Sequence, residues 1–148
     1  MRPYLVFLFL LCIACTETEN PIGNFPVYLR LDLTTKDKEL RSPGTGKTYT
    51  SKDINPGIER AGFGGVLVVH AMDNRFYAFD LACPHEANRS VLIVPDENTV
   101  YAVCSGCGTK YDIAFGTGAP NGVSRFYLKR YNVSDDGMLI PETLTVHN

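Results

Sequence analysis

A chain of 148 residues, 45% hydrophobic and 20% charged, has room for one domain and an appendage, and such a domain buries a core without disulfides. Its 14 Lys and Arg against 16 Asp and Glu leave a net charge of −2 with no basic patch, which excludes an electrostatic partnership with nucleic acid.

Residues 1–15, MRPYLVFLFLLCIAC, set Arg2 before an unbroken apolar run over 4–14 and read as a secretory signal. The run is shorter than the roughly 20 apolar residues of a permanent span. It resembles the bacterial lipoprotein signal, with Ala14-Cys15 as the junction and Cys12 where such signals usually carry Leu. That resemblance implies export to the cell envelope, in the periplasm or at the outer membrane, with a lipid anchor to the membrane at Cys15; plain secretion and an uncleaved anchor stay open. Residues 16–24, TETENPIGN, are polar and turn-rich and suit a flexible tether, leaving 25–148 as the domain.

The domain opens with alternation over 27–33, Val27, Leu29, Leu31 and Leu33 against Tyr28, Arg30 and Asp32, which predicts a half-buried strand. Residues 34–65 are rich in Gly, Pro and Ser and predict mainly loop, with a short strand at 47–50. The GTGKT within them lacks both the spacing and the leading strand of a phosphate-binding loop. Short strands follow over 66–70, 76–81, 91–94, 100–103, 110–114, 126–133, 138–140 and 144–146, with turns at Asp73-Asn74, 95–98 and 135–137. No stretch has helical period, so the expectation is an all-β antiparallel sandwich or small barrel.

Removal of the signal leaves three cysteines in the domain, Cys83, Cys104 and Cys107, an odd number that makes no disulfide framework. Cys83-Pro84-His85 and Cys104-Ser105-Gly106-Cys107 each follow a predicted strand. A hairpin turning at 95–98 returns the chain to the level where it left, so Cys83, His85, Cys104 and Cys107 are expected to meet as a four-ligand metal site. Gly106 and Gly108 suit the tight turn of the second pair. His70, at the far end of its hairpin, lies on the order of 20 Å from that level and is expected to stay out of reach, and His147 sits in the tail. Asp80, Glu86, Asp96 and Glu97 read as solvated turn carboxylates, so no catalytic activity of its own is expected.

At these residues the sequence resembles the Rieske [2Fe–2S] domain family, whose two loops read Cys-x-His and Cys-x-x-His. Cys83-Pro84-His85 matches the first loop, and Cys104 followed by Gly108-Thr109-Lys110-Tyr111-Asp112 matches the second. Residues 76–80, Gly116, Gly122, Leu128, Tyr131 and Val133 agree with the flanks, over roughly 64–140. Cys107 stands where the family has its second histidine, and Gly122-Val123-Ser124 stands for the loop that covers the cluster.

The resemblance implies a Rieske-like fold with a two-loop cluster-binding subdomain. It implies a [2Fe–2S] cluster on Cys83, His85, Cys104 and Cys107, with Thr109 and Tyr111 donating hydrogen bonds to cluster sulfur or to Cys83. The protein would then be an electron carrier or accessory subunit for a redox partner protein. Two other readings stay open: structural zinc in a Cys3His set, and a metal-free member that keeps the fold as a structural or interaction lipoprotein, with Cys104 and Cys107 paired as a disulfide.

Overall fold

The alternating run at the start of the domain forms β1 (Val27–Asp32), which buries Val27, Leu29 and Leu31 and turns Tyr28 and Arg30 outward. The computed structural model describes residues 19–148; the signal expected over 1–15, with Cys15, lies outside the described residues. Ten further strands follow: β2 (Thr45–Tyr49), β3 (Arg60–Ala61), β4 (Val66–His70), β5 (Phe76–Asp80), β6 (Ile93–Pro95), β7 (Tyr101–Cys104), β8 (Lys110–Asp112), β9 (Pro120–Asn121), β10 (Arg130–Asp135) and β11 (Thr143–His147). Every pairing between them is antiparallel, so the all-β class holds. A single turn of 3-10 helix, Lys38–Arg41, interrupts the region expected as loop and buries Leu40.

Seven strands make one sheet in the order β2-β4-β5-β10-β11-β1-β3, and β6-β7-β8-β9 make a second. The large sheet wraps a core of its own: Val66 and Val68 of β4 and Ala78 of β5 meet Leu29 and Leu31 of β1 and Leu144 and Val146 of β11. The opposite faces of the same two strands, Leu67, Val69, Tyr77 and Phe79, pack under the small sheet against Ile93, Ala102 and Tyr111. Burial on both faces explains why β4 reads VLVVH, a continuous apolar run instead of an alternating one. Cys83 and Cys104 belong to this second core.

Two expected strands differ. Residues 138–140 do not pair, and Met138, Leu139 and Ile140 are 56%, 99% and 61% exposed in a turn that Asp136 holds by accepting the N–H groups of Met138, Glu142 and Thr143. The strand expected over 126–133 begins only at Arg130, because Ser124 and Phe126 bond to one another and Leu128 N–H donates to Gly118 across a loop. The expected tether is described from residue 19, and its end docks on the domain: Ile22 is buried and Asn24 accepts a hydrogen bond from Lys129.

Candidate metal centre

Two backbone pairings bring the cysteine loops together. The bridge between Ala82 and Leu92 ties the end of β5 to the approach to β6, and Ile93 of β6 stands opposite Cys104 of β7. Cys83 and Cys104 therefore meet across the foot of one hairpin, as the spacing predicts. The Sγ atoms of Cys83, Cys104 and Cys107 all lie within 4.8 Å of one another, and those of Cys83 and Cys107 are 3.8 Å apart. Cys83 and Cys104 are buried, Cys107 is partly exposed, and all three are free thiols.

His85 does not join them. Pro84 is buried, the N–H of Ala87 donates to the carbonyl of Cys83, and Ala87 takes a positive φ of 47°. The chain thus turns back within four residues and carries the His85 side chain to the surface, outside the three-thiol group. An extended loop would have aimed Cys83 and His85 the same way; the tight turn separates them.

Thr109 and Tyr111 stand against the sulfurs from the third strand of the small sheet and its approach. The Tyr111 hydroxyl is 3.3 Å from Cys83 Sγ, and Thr109 Oγ1 is 3.2 Å from Cys107 Sγ. Cys104 Sγ accepts the backbone N–H groups of Gly106 and Cys107, both at 3.4 Å. Burial pushes the Cys104 thiol up to about 12. Burial also acts upward on Cys107, but the hydroxyl and backbone N–H of Thr109 and the neighbouring thiols outweigh it, and the group lies below the usual thiol range. Burial and the Cys83 contact raise Tyr111.

Gly122, Val123 and Ser124 form the flank of the site. Ser124 N–H donates to Thr109 Oγ1 at 3.2 Å, and a Cβ at Gly122 would stand 2.9 Å from the Thr109 backbone. With φ at +150°, this position combines a glycine conformation with a close approach, and both keep Thr109 seated beside Cys107.

Asp80 corrects a reading of the sequence. It is not a solvated turn carboxylate but is fully buried, accepting from the N–H groups of Gly64 and Ala82 on one oxygen and from Phe63 N–H and the Tyr131 hydroxyl on the other. The bond to Ala82 fixes the residue just before Cys83. An acid ending the otherwise apolar FYAFD strand must be either exposed or fully partnered, and residue order alone does not say which. His70 is likewise satisfied, between the Leu40 carbonyl and Asn74, at the far end of its hairpin.

Three converging thiols suit a soft cation. With metal–sulfur bonds of about 2.3 Å, two thiolates on one tetrahedral ion sit about 3.8 Å apart, the separation of Cys83 and Cys107. The residues fit a thiolate-bound metal, with the fourth donor outside the group the structure brings together.

Among solved structures, the chain is similar to the ferredoxin of carbazole 1,9a-dioxygenase from Nocardioides aromaticivorans, with a TM-score of 0.48 and 20% identity over 83% of this chain and 97% of that one. It is also similar to a protein from Mycobacterium tuberculosis assigned as an NADH-dependent nitrite reductase small subunit, with a TM-score of 0.46 and 12% identity over 84% of this chain and 97% of that one. No family model matches the chain, and no curated protein does.

Proposed function

We propose that the protein is an exported one-electron carrier or accessory redox subunit of Rieske type, whose iron–sulfur centre is held by Cys83, Cys104 and Cys107 with His85 as fourth donor. The observation that carries this reading is the convergence of three thiols from two loops, with the Tyr111 hydroxyl on Cys83. It is the contact that the resemblance of the two motifs implies. His85 completes the set by turning inward from its exposed position on the first loop. A bound cluster supplies one-electron exchange. The chain's own residues bury two of the sulfurs, aim the N–H groups of Gly106 and Cys107 at Cys104 Sγ, and hold hydroxyls against Cys83 and Cys107. The partner is a redox protein that supplies or accepts the electron, and a lipid at Cys15 keeps the domain at the membrane.

Iron and acid-labile sulfide are to be measured on anaerobically purified chain lacking residues 1–15. Two of each per chain are expected. In the reduced state, the average g-value is expected to differ from that of a two-histidine Rieske centre; protein without iron overturns the reading. Cys15→Ser is expected to release the full chain from membranes, and unchanged partition sinks the anchor.

A second reading, one zinc ion on the three thiolates, is favoured by the compactness of the group, since all three sulfurs fall within reach of a single ion. The same assay reports it as one zinc per chain without sulfide.

A further inference from the structure

The three sulfurs are not equivalent in ways that matter when no metal holds them. Cys107 is partly exposed, and the next residue, Gly108, faces open space: a Cβ there would meet nothing within 4 Å. Cys83 is fully buried directly behind it, with its Sγ 3.8 Å from that of Cys107. Cys104 Sγ is engaged differently, accepting the N–H groups of Gly106 and Cys107 within its own turn. A disulfide between Cys104 and Cys107 would give up both of those contacts, whereas one between Cys83 and Cys107 closes a gap already at sulfur contact.

We infer that the metal-free protein is a dithiol reductant of small accessible disulfides, with Cys107 as the attacking sulfur and Cys83 as the resolving one. The inference uses the same thiols as the proposed centre but does not depend on their holding iron. In the first step the Cys107 thiolate attacks one sulfur of the external disulfide; a Cys107–S bond forms, the external S–S bond breaks, and one thiol leaves with the proton Cys107 gave up. In the second, Cys83 Sγ attacks Cys107 Sγ, the mixed disulfide breaks, and the second thiol leaves with the Cys83 proton. The protein loses two electrons and two protons, and the disulfide gains them. Burial of Cys83 sets the order, because the only sulfur it reaches from outside arrives bonded to Cys107. A metal held by these sulfurs and the disulfide are alternative states of one site.

The test uses full chain carrying Cys12→Ser and Cys15→Ser, so that Cys83, Cys104 and Cys107 are its only thiols, reduced, freed of metal by chelation and desalted anaerobically, with oxidised glutathione as probe. The expected result is release of two glutathione thiols per chain, a mass lower by two hydrogens, and a proteolytic peptide linking Cys83 to Cys107. Cys104→Ser is expected to give the same link, and Cys83→Ser to stop after one thiol, with glutathione retained on Cys107. A link to Cys104 in the wild-type chain, a persistent glutathione adduct on wild-type Cys107, or no reaction overturns the inference. Zinc and iron uptake by the reduced chain, measured on the same preparation, reports the proposed centre separately: uptake without the link sinks only this inference, and the link without uptake sinks only the proposed centre.

Discussion

The hydroxyl of Tyr111 lies 3.3 Å from the Sγ of Cys83, joining a strand of the small sheet to a loop that leaves the large one, 28 residues earlier in the chain. A hydroxyl there donates to the sulfur once it is a thiolate, and it favours the more electron-rich, reduced state of any metal that sulfur holds.

Tyr111→Phe in metal-loaded protein is therefore expected to lower the reduction potential. A hydrogen bond of about 1 kcal/mol corresponds to roughly 40 mV for one electron. Redox titration followed by the optical spectrum measures it, and an unchanged potential removes Tyr111 from the centre.

Cys107→His replaces a charged thiolate donor by a neutral imidazole. In protein loaded with a two-iron cluster, the potential is expected to rise on the order of 100 mV, toward the range of clusters with two histidine ligands. Protein film voltammetry of both forms makes the comparison, and a lower potential contradicts the assignment of Cys107 as a ligand.

Asp80→Ala leaves three backbone N–H groups and the Tyr131 hydroxyl without their acceptor in a fully buried place. A loss of about 3 kcal/mol or more in urea unfolding is expected. Asp80→Asn keeps the shape but offers one acceptor oxygen instead of two, and it is expected to fall between wild type and Asp80→Ala.

The thiols of the metal-free protein are expected to separate by pH. Cys107, held below the usual range, is the first to be alkylated by iodoacetamide, and its labelling persists as pH falls below that of an ordinary thiol. Cys104 stays protonated and unreactive well above it. Its folded value of about 12 exceeds the ordinary 9.0, so the stability it contributes is complete below pH 9 and is lost as pH climbs toward 12. Tyr49 and Tyr131, raised by burial and by Asp37 and Asp80, add losses of the same sign above pH 10. The Cys104 part is read as the difference in thermal unfolding between wild type and Cys104→Ala from pH 9 upward, the tyrosine losses being common to both; labelling of Cys104 ahead of Cys107 contradicts the whole assignment.

The strand frame was legible in the sequence because alternation at 27–33 and turn chemistry at Asp73-Asn74 are local signals, and the meeting of Cys83 with Cys104 followed from one hairpin. His85 lies outside the three-thiol group in the structure because its direction depends on a backbone turn at 84–87 that residue spacing does not encode. Asp80 was misread for the opposite reason: its partners come from residues 63, 64 and 131, distant in sequence, and only the tertiary fold reveals that a carboxylate there is enclosed. The exposed 138–140 segment has strand composition but no strand beside it, which is a property of the sheet and not of the segment.

The two loops of the centre issue from different sheets, Cys83 from the end of β5 and Cys104 and Cys107 from the end of β7, and between the sheets run apolar side chains and a few backbone bonds, among them Ile93 N–H to the Leu81 carbonyl and Cys83 N–H to the Val91 carbonyl. An ion that grips all three sulfurs then rivets a joint that only those few backbone bonds hold, and loading it makes the joint harder to open. Amide exchange at Ala82, Leu92 and Ile93, whose strands carry that joint, should slow on loading far more than exchange in β1 and β11, which are bonded only within the large sheet.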